Sequence, residues 1–194
     1  MLLLLITSLF FALTASAQET PSDSDPYVTT FEQSEGTDLV MVYIMSQDCG
    51  PCHDPEMKTA IDTAKRLLQS RAATEGKQFS AVGVVKNYDW EEGIAFLAES
   101  GYFDEVIAGR SWFNTGVVEH CWQDSECAPG MPMIRVFERD VTNAETPDGG
   151  SRYAFGPRRY LVTVKGGGDA EDYPDGIRGW VSAGAPLDAE WAFD

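Results

Sequence analysis

The apolar positions fall into short unbroken runs separated by stretches of helical period. Leu39 to Met45 is continuously apolar, without the polar alternation of a half-solvated strand, and reads as a strand buried on both faces. Phe79 to Val85 is apolar and β-branched and reads as the next core strand. Between them Met57, Ile61, Ala64 and Leu68 recur at helical spacing. That helix opens at Asp54-Pro55, a cap followed by a first-turn proline, and ends near Gln69 to Ala73, before the Glu75-Gly76-Lys77 turn. Trp90 to Leu97 predicts a second helix with Trp90, Ile94 and Leu97 on one face, ended by Glu99-Ser100-Gly101. Tyr102 to Val118 reads as one or two short helices anchored by Trp112 and Phe113. Met133 to Phe137 is a strand, Pro147-Asp148-Gly149-Gly150 a turn, and Arg152 to Val164 a returning strand broken at Gly156-Pro157. Ile177, Trp180 and Val181 define a last helix. Tyr27 to Phe31 suits a first strand and Gln33 to Thr37 a turn.

The ends have a different character. Leu2 to Leu13 is an apolar core and Ala15-Ser16-Ala17 a small-residue cleavage site before Gln18, so residues 1–17 read as a signal peptide. The run is shorter than the ~20 apolar residues of a spanning helix, and the alternative is an uncleaved anchor, since no Lys or Arg precedes the apolar core. Residues 18–26 form a polar, flexible leader, 27–184 one folded domain, and 185–194 a tail. The chain is expected to be exported, periplasmic or extracellular, with no stable membrane insertion once the signal is removed.

Export permits disulfides, and the four cysteines form two close pairs, Cys49 with Cys52 and Cys121 with Cys127. The net charge of −17 argues against nucleic acid and anionic membranes as partners. The acidic residues are spread along the chain, which suits a solvated surface; a preference for basic clients is the sharper alternative.

The chemistry concentrates at Cys49-Gly50-Pro51-Cys52. A buried strand delivers this tetrapeptide to a helix start, where unpaired N–H groups and a partial positive charge favour thiolate over thiol. The second cysteine, one helical turn on, is close enough to bond the first. Cys49 then attacks a partner disulfide and Cys52 resolves the mixed disulfide.

The run Val42 to Cys52 resembles the active-site segment of thioredoxins, and Cys49-Gly50-Pro51-Cys52 matches their tetrapeptide. Gly130-Met131-Pro132-Met133-Ile134-Arg135-Val136-Phe137 resembles their Gly-x-Pro segment, whose cis-proline faces the cysteines and leads into a strand. The resemblance covers roughly residues 27 to 184. It implies an α/β, thioredoxin-like fold: a central mixed sheet flanked by helices, with residues 133–138 and 160–164 antiparallel. The residues between the third strand and the proline loop, about 99–128, are then a helical insertion. It also implies a thiol–disulfide oxidoreductase with no bound cofactor. Its partners are protein thiols or disulfides and a redox protein that recycles the pair. Met131 would offer backbone hydrogen bonds to a bound peptide and Pro132 would form part of the platform. Two positions depart from the pattern. Asp48 stands where thioredoxins carry Trp, and Tyr43 where they carry a buried Asp. A carboxylate beside Cys49 opposes its ionisation, so the lean toward reduction that Gly50-Pro51 implies is weakened.

Other readings stay open at these residues. Cys49-Gly50-Pro51-Cys52-His53 is also a c-type haem attachment pattern, with Met131 or Met133 as a further axial ligand. Both pairs could instead be structural, in a noncatalytic binding module. Cys121 and Cys127 read as a structural disulfide pinning the insertion, with a second redox pair or zinc held with His120 and His53 as alternatives. The reading adopted has no metal. His53 reads as a solvent-facing helical neighbour of the pair, Tyr43 as core packing, and Asp48 and Asp54 as turn and cap residues.

Overall fold

The computed structural model describes residue 27 and residues 33–166 and 176–188. The expected signal peptide and leader, residues 28–32 and 167–175, and the last six residues lie outside this range. Within it, strand β1 (Gly36–Met45) leads through a 3-10 turn (Gly50–His53) to helix α1 (Pro55–Thr74). Strand β2 (Gln78–Lys86), helix α2 (Trp90–Ala98) and strand β3 (Glu105–Gly109) follow. A helical turn α3 (Thr115–Val117) runs into a π-helix (Val118–Trp122). Strands β4 (Met133–Glu145), β5 (Ser151–Phe155) and β6 (Arg159–Lys165) and helix α4 (Gly176–Ser182) complete the order.

The architecture is α/β. One curled mixed sheet runs β3-β2-β1-β4-β5, and β6 also pairs with β4. β1, β2 and β3 are parallel to one another, whereas β4 is antiparallel to β1, β5 and β6. The long β4 serves two partners in turn: Met133 to Glu138 faces β6, and Val141 to Glu145 faces β5. The expected pairing of 133–138 with 160–164 is present.

β1 explains the lack of polar alternation, because both its faces are covered. Leu39, Met41, Tyr43 and Met45 enter one core cluster, with Met57, Ile61, Ala64 and Leu68 of α1 and Ile177, Trp180 and Val181 of α4. Val40, Val42 and Ile44 enter a second, with Val82, Val84, Val117, Cys121, Met133 and Phe137. Period-two geometry puts the two sets on opposite faces, so the sheet separates the cores.

Several elements differ from the pattern reading. Residues 105–109 are not helical: they pair in parallel with Val82 to Lys86 and occupy the sheet edge. Five residues are too short a stretch to show a period, and the edge ladder of β2 decides their state. The insertion is therefore a strand followed by short helical turns. Of Tyr27 to Phe31 only Tyr27 is described; it is buried and not in a strand, edge-on to Phe79 at 5.6 Å. Gly36 and Thr37 belong to β1, and Thr142 to Glu145 to β4, because cross-strand partners extend both strands into polar sequence. The buried positions of α2 are Gly93, Phe96 and Leu97, while Trp90 is 46% exposed and Ile94 half-buried. A Cβ on Gly93 would lie 2.5 Å from Val85 Cγ1, so glycine lets α2 approach β2, while Trp90 stands exposed at the first position of the helix. Trp112 packs against the second cluster, but Phe113 is exposed. Among the described residues no helix is long and apolar enough to cross a membrane.

Candidate active site

β1 ends at Met45, and the chain turns through Ser46-Gln47-Asp48 by bonds from Cys49 N to Ser46 O (3.2 Å) and from Asp48 N to Ser46 Oγ (3.2 Å). Cys49 has extended backbone and caps the 3-10 turn, its Sγ accepting from Cys52 N at 3.3 Å. Pro51 sits in the first positions of that turn, where a missing N–H costs nothing. Asp54 then caps α1 by accepting from Glu56 N (2.9 Å), with Pro55 behind it. The cysteines thus lie on a separate short turn ahead of α1 rather than in its own first turn.

Cys49 and Cys52 are bonded, with Cα atoms 5.3 Å apart. Cys49 is 9% exposed and Cys52 1%. One sulfur lies nearer the surface and its partner is sealed beneath, as an attacking and a resolving thiol require. Gly50 and Pro51 are exposed, and a Cβ on Gly50 would meet nothing within 4 Å. Asp48 is exposed next to Cys49. His53 is exposed yet tethered: its Nε2 lies 2.6 Å from Gln47 O, and its ring 4.6 Å from that of Phe96. A carbonyl only accepts, so Nε2 carries the proton.

Tyr43 is buried and stacks on Phe103 with centroids 6.3 Å apart; burial pushes its phenol up. The buried ionisable group nearest this stack is a cation. Lys65 Nζ lies 4.3 Å from the Phe103 centroid and donates to Ser100 O and Tyr102 O, both at 2.7 Å. Burial pulls it down to about 8, against the opposing pull of Asp62 at 3.6 Å. A buried acid does occur on β1, at Asp38, where Arg139 Nη2 donates at 2.9 Å and Ser80 Oγ at 3.0 Å. Burial raises its carboxyl and Arg139 opposes the rise. Five residues of strand place it about 17 Å from Tyr43, so it is a packing ion pair remote from the cysteines.

The Met131–Pro132 bond is cis. Pro132 is buried and its carbonyl accepts from Gly166 N at 2.9 Å. A Cβ on Gly166 would lie 3.1 Å from both Met57 Cε and Pro132 Cγ, so this loop reaches the start of α1. Met131 is half-buried against the cluster that contains Cys49 and Cys52. Cys49 and Cys52 of one segment and Met131 of the other, far apart in sequence, therefore share one core face.

Cys121 and Cys127 are bonded on the opposite face, with Cα atoms 5.3 Å apart. The sheet lies between the pairs, which removes the basis for a direct relay. Arg135 pins this loop, donating to His120 O (2.6 Å), Thr163 Oγ1 (3.1 Å) and Asp124 and lying 3.6 Å from the Tyr160 centroid. His120 is buried, stacks on Phe137 at 5.9 Å, and its Nδ1 has no hydrogen-bond partner among the described residues. Burial holds its imidazole down to about 3, helped by Arg158, Arg135 and Arg139. His53 packs on Phe96 of the first core, so the two histidines and this pair do not converge. Among the described residues no group of three His, Cys, Asp or Glu is placed to hold a metal. For haem attachment both sulfurs of the first pair must be free. Of the candidate axial residues, Met133 belongs to the far cluster and His53 Nε2 is engaged with Gln47.

Asn87 also belongs to the site, although no local pattern in the sequence marks it. It is 4% exposed at the end of β2, accepts from Gln47 N at 3.2 Å, and donates to Gln47 Oε1 (3.2 Å) and Asp89 O (2.6 Å). Its own N–H donates to Gly109 O at 3.0 Å. One residue thus ties the cysteine loop, by its side-chain amide, to the loop after β2 and, by its backbone N–H, to the end of β3. The available signal was its position: a polar residue just beyond the carboxyl end of a buried parallel strand, where α/β sheets place their sites. Compared with protein-family models, with curated proteins and with solved structures, the chain matches none.

Proposed function

We propose that this protein is an exported thiol–disulfide oxidoreductase with a thioredoxin-like fold. The supporting observation is the arrangement at the end of β1: a near-surface Cys49 bonded to a sealed Cys52, on the core face that also receives the Met131–Pro132 loop. In the reduced protein the Cys49 thiolate attacks one sulfur of a client disulfide. A Cys49–client bond forms as the client S–S bond breaks, and one client thiolate leaves. Cys52 then attacks Cys49 Sγ, forming Cys49–Cys52 and releasing the second client thiolate. Two electrons and two protons pass to the client, and a dithiol partner restores the pair. The Met131 backbone adds to an extended client segment as a strand. By resemblance to thioredoxins the Gly50-Pro51 spacer leans the pair toward reduction, a lean that Asp48 and Tyr43 weaken.

The test is a redox titration of the mature protein, with thiols trapped and located by mass spectrometry. Reversible interconversion of Cys49 and Cys52 well above about −300 mV, the region of structural disulfides, supports the reading, as does loss of exchange in Cys49→Ser. Covalently bound haem, seen in mass and absorbance, replaces it with an electron carrier. Resistance of both pairs to reduction leaves a disulfide-stapled binding domain.

A further inference from the structure

Four large aromatic side chains stand exposed at the end of the sheet that carries Cys49. Tyr88 is 79% exposed, Trp90 46%, Phe113 76% and Trp122 45%. Tyr88 and Trp90 follow β2, and Phe113 follows β3. Phe113 stacks on Trp122 at 5.8 Å, and the Trp122 indole donates to Trp112 O at 2.7 Å. Tyr88, Trp90 and Arg110 line a shallow depression of about 260 Å³. Exposing this much aromatic surface has a cost in solubility and marks a contact surface.

These loops are joined to the cysteine loop. Asn87 bonds Gln47 and Gly109, and Asn114 Nδ2 donates to Val85 O at 3.3 Å. β1, β2 and β3 are neighbours in the sheet, so the end of β3 lies about 10 Å from the end of β1, a span of three or four extended residues.

The surrounding charge is mainly negative: Asp48, Asp89, Glu91 and Glu92 are exposed at the same end against the exposed Arg110, on a chain of net charge −17. Arg110 lies over the Tyr88 ring at 5.4 Å, so this surface already stacks a guanidinium on an aromatic face. We propose that these aromatics and carboxylates form a docking rim along the sheet end that carries Cys49, for an extended client segment that alternates apolar and basic side chains around its disulfide. This rests on the redox reading and deepens it by naming the substrate class.

The probes are two labelled twelve-residue peptides without cysteine, one alternating Leu or Phe with Arg, the other with Glu in place of Arg. Binding to the oxidised protein is read by fluorescence anisotropy. The cationic peptide is expected to bind at least about tenfold more tightly than the acidic one. Trp90→Ala/Phe113→Ala is expected to lose about tenfold or more, as for loss of central aromatic anchors. Circular dichroism checks that it is folded, and Glu91→Gln/Glu92→Gln, which leaves the aromatics in place, is expected to weaken the cationic peptide alone. No binding, equal binding of both peptides, or unchanged affinity in both variants overturns the rim. Exchange of glutathione disulfide by the unmodified protein reports separately on the redox reading. Exchange without rim-dependent binding sinks the rim alone, whereas rim-dependent binding without exchange sinks the redox reading and leaves a peptide-binding surface.

Discussion

Asn87 and Gln47 are joined by two hydrogen bonds, from Gln47 N to Asn87 Oδ1 and from Asn87 Nδ2 to Gln47 Oε1, both 3.2 Å. Gln47 O in turn accepts from His53 Nε2 at 2.6 Å. A buried amide at the end of β2 therefore holds Gln47, whose carbonyl in turn holds His53 on the far side of the cysteines. Asn87→Ala is expected to cost about 1–3 kcal/mol, because it leaves the Gln47 N–H without its partner, and to slow disulfide exchange. Denaturant midpoints and exchange rates check this; an exchange rate unchanged alongside lost stability would show that the turn keeps its shape without the amide.

Asp48→Asn removes the carboxylate next to Cys49. In the reduced protein the thiolate then meets less repulsion, and a modest rise in exchange rate at pH 7, on the order of two- to fourfold, is expected. The pH profile of Cys49 alkylation should move to lower pH. A profile that stays put would mean that solvent screens the carboxylate completely.

Lys65 makes stability depend on alkaline pH. Its folded-state pKa, pulled down to about 8 by burial, lies below the ordinary lysine value of about 10.4. Between those values the unfolded chain holds the extra proton, so stability rises with pH across this window, at up to about 1.4 kcal/mol per pH unit. Asp62 and Asp104 oppose the shift. Above pH 10 the trend reverses, since buried Tyr27 and Tyr43, whose phenols are pushed up, resist ionising when folded. Urea midpoints at pH 7.5 and 9.5 should separate for the native chain and not for Lys65→Met.

His120 acts at the acid end. Its imidazole is held down to about 3, so below about pH 6.5 the unfolded chain takes up a proton that the folded chain refuses. Stability is lost as pH falls through this range, at up to about 1.4 kcal/mol per unit. His120→Leu, which also removes the unpartnered Nδ1, should flatten the loss between pH 6.5 and 4 in thermal melts.

The second disulfide is expected to be structural. Cys121→Ser/Cys127→Ser opens a loop of six-residue separation, which the chain-entropy relation values at about 2 kcal/mol. Exchange through Cys49 should persist, since that pair occupies the opposite face of the sheet. Loss of exchange in a folded variant would restore a coupling between the pairs.

What the sequence determined by itself was whatever depends on neighbours along the chain. The double burial of Leu39 to Met45, the cap and proline opening α1, the turn at residues 147–150 and the spacing of the two cysteines all follow from local period and local chemistry. The resemblance at residues 130–137 pointed to the loop that the fold brings onto the core face of Cys49 and Cys52. Tertiary structure decided what depends on partners distant in sequence. Residues 105–109 are a strand because β2 has an edge to fill. Gly93 takes the buried position of α2 because only a residue without a Cβ fits against Val85. Lys65 is buried because Ser100, Tyr102 and two aromatic rings replace its water. Asn87 bonds Gln47 across 40 residues, and the two cysteine pairs are separated by a sheet that neither spacing reveals. Periodicity reports which side of an element is apolar; which neighbour covers that side is settled only when the chain closes on itself.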